Sequence, residues 1–201
     1  MQNNTPENLI LLCGELMTDG TVLYNKDGED YVEFSIKVSL PTGTDILPIV
    51  MKRSMIDDTI VKGATISLTG SLFSEEKLFG EERELLLKVL VGEVYAGETE
   101  ITSGVFLTGN IIRKPYSYPF QEGERAEFEI TVGNETDRLA YVPLSVNNEA
   151  VSIAKSLQLG DTVSILGQLH SFEYLDLNDN GSTSKTGYEV EILTFTGFSK
   201  V

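Results

Sequence analysis

Hydrophobic and polar side chains alternate cleanly from Tyr31 to Leu40: Val32, Phe34, Ile36 and Val38 on one side, Tyr31, Glu33, Ser35 and Lys37 on the other. A period of two predicts a half-buried strand. Apolar runs predict four more strands, at about Leu9 to Leu16, Asp45 to Met51, Ala64 to Phe73 and Glu84 to Tyr95. Between the third and fourth, Ser54 to Val61 predicts a short helix with Ser54 as its N-cap, ended by Lys62-Gly63. Polar turns separate the strands at Thr18-Asp19-Gly20, Asn25-Lys26-Asp27-Gly28 and Gly80-Glu81-Glu82.

The same pattern then returns. Val32-Glu33-Phe34-Ser35-Ile36-Lys37-Val38 is repeated as Ala126-Glu127-Phe128-Glu129-Ile130-Thr131-Val132, and Lys62-Gly63 through Gly70 to Leu72 as Leu159-Gly160 through Gly167 to Leu169. The offset stays at 94 to 97 residues, which marks a duplicated domain rather than a solenoid repeat. The second set of strands falls at about Gly104 to Ile112, Arg125 to Val132, Leu139 to Val146, Thr162 to Phe172 and Tyr188 to Thr196, with a helix from about Asn148 to Leu157. Five strands with a helix between the third and fourth is the pattern of the OB-fold. The expected architecture is all-β: two tandem five-stranded Greek-key barrels, at residues 1–98 and 103–201. The linker, about Gly97 to Ser103, is short enough to hold them side by side.

Charge complicates the picture. The chain carries 15 basic and 31 acidic residues, a net −16; residues 1–100 contribute −10 and residues 101–201 contribute −6. Strong non-specific binding to nucleic acid normally leaves a basic footprint, and this chain has none on average. No apolar run approaches the roughly 18 residues of a membrane span. The N-terminal residues lack the pattern of a signal peptide. The single cysteine, Cys13, excludes an intramolecular disulfide and reads as a small buried side chain in a cytoplasmic setting.

Catalytic and metal chemistry is not expected. There is no Gly-rich phosphate loop, HExxH or CxxC motif. The one histidine, His170, would have to serve both copies. Asp176-Leu177-Asn178-Asp179-Asn180-Gly181 begins like a calcium loop, but its twelfth position is Gly187, so it reads as a hairpin tip. No cofactor is expected.

The ordered set of residues resembles the bacterial single-stranded DNA-binding protein family. In the second copy the resemblance runs through Leu107-Thr108-Gly109-Asn110-Ile111-Ile112-Arg113-Lys114-Pro115, Gly123 with Ala126 to Val132, Glu149-Ala150 to Leu157, Leu159-Gly160 to Leu169, and Tyr174 with Asp176 and Gly181. The first copy shares Gly14, Phe34, Lys62-Gly63 and Gly70. The resemblance implies the tandem form of that family: a homodimer presenting four OB-folds, with replication or recombination proteins as partners. The chain departs from the family in lacking tryptophan and in ending at Gly197-Phe198-Ser199-Lys200-Val201, without an acidic tip.

Single-strand binders combine cations with aromatic platforms. The candidates in the first copy are Tyr24, in the loop joining strands one and two, Tyr31, Lys37, Lys52, Arg53, Lys77, Phe79 and Lys88. Those in the second are Arg113, Lys114, Tyr116, Tyr118, Phe120, Arg125, Arg138, Tyr141, Phe172 and Tyr174. Arg113 to Phe120 places two cations and three aromatics in one expected loop. Glu127 and Glu129 lie on the outward face of the second copy, where they are expected to repel phosphates. The leading expectation is single-stranded DNA binding in replication, recombination or repair. An acidic protein-interaction module is the alternative, and an OB module for RNA or saccharides is the third reading.

Overall fold

The computed structural model describes residues 7–79, 82–97, 102–121, 123–133, 139–178 and 181–200, with backbone alone at 76–79, 82–84, 177–178 and 181. Two barrels close in sequence order. In the first, β1 (Asn8–Leu16) pairs with β3 (Glu29–Leu40), β3 with β4 (Gly43–Lys52), β4 in parallel with β6 (Glu82–Ala96), β6 with β5 (Thr65–Phe79), and β5 with β1. In the second, β7 (Gly104–Phe120), β8 (Gly123–Gly133), β9 (Leu139–Asn147), β11 (Gly181–Ser199) and β10 (Thr162–Asn178) close the same ring, again with one parallel pair, β9 with β11. This is the tandem OB architecture. An extra strand, β2 (Thr21–Lys26), forms a hairpin with β3 through Asp27-Gly28, both at positive φ.

The alternating pattern sets the cores. Val32, Phe34, Ile36 and Val38 point inward and are buried, as are Ala126, Phe128, Ile130 and Val132. Glycines shared by the copies mark strand crossings. A Cβ on Gly14 or Gly109 would stand 2.2 or 2.4 Å from the carbonyl oxygen of Lys37 or Thr131. Cys13 points outward, opposite the buried Leu12, and is half-buried rather than buried.

The helical elements differ between copies. The second has a 3-10 turn at Asn148–Ala150 and then α1 (Val151–Ser156). The first has only a 3-10 turn, Arg53–Met55, with Lys52 rather than Ser54 at its N-cap. Beyond it, the Asp57 carboxylate accepts bonds from the Thr59 N–H and hydroxyl at 2.8 and 2.5 Å. That local closure competes with helical backbone bonding and stops the helix.

The barrels meet about an approximate two-fold axis. β1 and β7 pair antiparallel, with Ile10 opposite Val105, its own counterpart at the offset of 95. Leu9 faces Phe106 and Leu11 faces Gly104, so each pair maps onto the other. The Asn8 amide donates to the carbonyls of Leu72 (2.9 Å) and Gly133 (2.8 Å), one in each barrel. Each long hairpin then reaches across: β10 and β11 pack on β4 and β6, and β5 and β6 pack on β9. Asp45 accepts from the Ser171 N–H and hydroxyl and lies 3.0 Å from His170 Nδ1. On the reciprocal side Tyr141 N–H donates to Ser74 Oγ at 3.0 Å.

Candidate nucleic-acid interface

The run from Arg113 to Phe120 is not a loop. β7 continues through it and pairs with β8, with irregularities between Ile111 and Arg113 and between Arg113 and Tyr116. The pleat beyond the second irregularity puts Tyr116, Tyr118 and Phe120 on one side of the ribbon. Their rings form a ladder: Tyr116 and Tyr118 stack at 5.9 Å, and Tyr118 meets Phe120 edge-on at 6.5 Å. Tyr116 is 70% exposed and Phe120 is exposed. Arg113 and Lys114 lie beside the ladder, exposed.

Beneath the ladder sits a half-buried cation. Arg125 donates from Nε to Glu127 at 3.2 Å and from its terminal nitrogen to Glu189, and its guanidinium lies 5.2 Å from the Phe120 ring centroid. Tyr118 donates its phenol proton to Glu127, and Ser145 donates to Glu189 at 3.1 Å. Burial first, then the bond to Glu127, holds the Tyr118 phenol above its ordinary value. Glu127 and Glu129 therefore do not stand as bare charges. Arg125 and Tyr118 hold the first, and Arg113 lies 3.6 Å from the second. The expected repulsion is softened by pairing, at the cost of committing Arg125.

The first barrel carries a comparable ion cluster with its cation on a different strand. Lys88, 3% exposed, contacts Glu33 at 2.5 Å and Glu75 at 2.8 Å. Burial alone would lower its ammonium pKa; the bonds from Glu33 and Glu75 outweigh this and raise it. By register Lys88 corresponds to Glu189 and Tyr31 to Arg125. Lys88 is a structural cation rather than a phosphate ligand. Tyr24 lies on β2, not in a loop, and its ring stacks on Tyr31 at 4.7 Å. Lys37, Lys52 and Arg53 are exposed.

The remaining candidates scatter. Phe172 and Tyr174 are exposed on β10, 6.0 Å apart, on the side of that hairpin that also carries Lys185. Tyr141 is exposed on β9 beside the first barrel. Lys77 and Phe79 lie on the backbone of β5 near its turn, and their side chains fall outside the described residues, as does all of Arg138. Sequence reasoning missed Glu75 and Glu189 as the partners that hold the two cations. Glu189 comes to Arg125 from a strand 64 residues away, so no local signal announces it.

No helix of the described residues is long and apolar enough to cross a membrane, and no group of three or more His, Cys, Asp or Glu among them could hold a metal ion.

No protein-family model matches the chain, and no curated protein matches it. Solved structures do. The wild-type single-stranded DNA-binding protein from Thermus aquaticus superposes with a TM-score of 0.76 at 18% identity, over 98% of this chain and 95% of that one. A deletion variant of that protein superposes with a TM-score of 0.73 at 18% identity, over 94% and 93%. The chain thus has, over nearly its whole length, the tandem OB-fold of a bacterial single-stranded DNA-binding protein.

Proposed function

We infer that the chain is a non-catalytic single-stranded DNA-binding protein, with barrels at residues 1–98 and 103–201. The observation that carries this reading is the ladder of Tyr116, Tyr118 and Phe120, its two outer rings exposed, flanked by Arg113 and Lys114. Exposed aromatic rings are platforms for unpaired bases, each worth about 1–3 kcal/mol per base. The fold shared with a protein named for single-stranded DNA binding supports the same reading. The acidic surface implies that stacking, more than phosphate contact, supplies the affinity. A homodimer acting in replication, recombination or repair in the cytoplasm completes the proposal.

Titration of a fluorescent oligo-dT tests it. Binding is expected in about 20 mM salt, with a salt dependence shallower than that of a basic binder, because few phosphates are neutralised. Absence of binding under those conditions would overturn the reading. The net charge of −16 and the pairing of Lys88 and Arg125 with carboxylates favour the alternative, an acidic module for basic protein surfaces. A nuclease-insensitive complex with one basic protein, without DNA binding, would select it.

A further inference from the structure

The two barrels differ most where the ladder stands. Register aligns Thr21 with Tyr116, since Thr21 faces Glu33 and Tyr116 faces Glu127. Leu16 and Ile111 correspond through their pairing with Ile36 and Ile130, which aligns Thr18 with Arg113 and Ser35 with Glu129. Three long side chains in the second barrel are thus short ones in the first. The space they vacate is an open pocket of about 200 Å³, lined by Thr18, Asp19, Thr21, Glu33 and Ser35, with Leu23 and Phe34 as apolar wall.

We propose that this pocket is a subsite for a single unstacked base carrying an exocyclic amine, with cytosine preferred over thymine; the assignment rests on the single-strand reading above. Its volume suits one flat ring, and its apolar wall suits a ring face. Glu33 is held by Lys88, and Asp19 stands in the turn before β2. Both carboxylates accept hydrogen bonds and donate none, so they match the cytosine amine and oppose the thymine O4. Thr18 Oγ accepts from the Ser35 N–H at 2.9 Å, which leaves its O–H to donate to a ring acceptor. Lys37, the next outward residue after Ser35 on β3, is exposed.

The test compares labelled dC and dT oligomers of equal length on the full chain at about pH 8, where cytosine is unprotonated. Wild type is expected to bind dC about fivefold more tightly than dT, the scale of one matched base-edge contact. Thr21→Tyr, which installs the second barrel's residue at an exposed strand position and fills the pocket, is expected to abolish that preference. Asp19→Asn, whose amide can donate to thymine O4, is expected to shift preference towards dT without filling the pocket. Equal wild-type affinities, or a preference that survives both substitutions, would overturn the subsite and leave single-strand binding standing. Failure to bind either oligomer would overturn the binding function itself.

Discussion

Lys88 and Arg125 occupy equivalent environments by opposite routes. In the first barrel the cation stands on β6 and takes partners from β3 and β5. In the second it stands on β8 and takes one partner from β11 and one from its own strand. The duplication kept an ion cluster on the outer face while exchanging which strand supplies the positive charge. What was retained is the pairing, not the residue. The two clusters also organise different surroundings. Arg125 supports the aromatic ladder through Phe120 and through Glu127 to Tyr118, whereas Lys88 secures Glu33 at the edge of a pocket.

Removing the cations should separate the barrels most strongly. Arg125→Ala strands Glu189, whose side chain is 13% exposed, and is expected to cost about 3 kcal/mol in urea unfolding. Lys88→Ala leaves carboxylates that are 35% and 32% exposed and can turn to water, so about 1.5 kcal/mol is expected. Equal losses would show that the two clusters are energetically equivalent after all.

The reciprocal hairpins offer the next contrast. Asp45→Ala removes the acceptor of both Ser171 bonds and the His170 contact, with an expected loss of about 2 kcal/mol. Ser74→Ala removes one exposed bond to Tyr141 and should cost about 0.5 kcal/mol. The same unfolding curves check both.

Binding should divide along the ladder. Tyr116→Ala is expected to weaken oligo-dT binding by about 1.5 kcal/mol, read as a dissociation constant by anisotropy. Tyr24→Ala, whose ring already stacks on Tyr31, should change it about twofold at most. A larger effect at Tyr24 would move the binding path to the first barrel.

The smallest effect is alkaline. Burial, then Glu33 and Glu173, raise the Tyr188 phenol pKa, and Tyr118 and Lys88 are raised as well. The folded chain therefore holds these protons more tightly than the unfolded chain. The resulting stability is fully present below the ordinary values of 10.0 for tyrosine and 10.5 for lysine, and is lost as pH rises through the higher folded values. Urea midpoints should fall above about pH 10, and Tyr188→Phe should flatten that fall.

Much of the fold was legible because a strand with one buried face writes its period into the sequence. Phe34 and Phe128 announce both cores, and the repeat supplies the second barrel. The aborted first-copy helix was not legible, because an Asp57–Thr59 closure competes with a helical pattern that composition alone permits. The candidate site was half legible. The cation and aromatic types between Arg113 and Phe120 stood out, but their conversion from loop to ribbon depended on pairing with β8. Asp45 and Ser171 meet across 126 residues, a contact that no local pattern encodes.

Pairing Ile10 with Val105 has a kinetic consequence. Two separate barrels meeting edge to edge would form a complex whose population falls on dilution, whereas here the partner edge is carried on the same chain. Joining them makes the encounter unimolecular, with an effective concentration on the order of millimolar for a short tether. Apparent stability should then be independent of protein concentration as far as this contact is concerned. Cutting the connection between residues 98 and 103 would convert it into a second-order association, slow and reversible at low concentration.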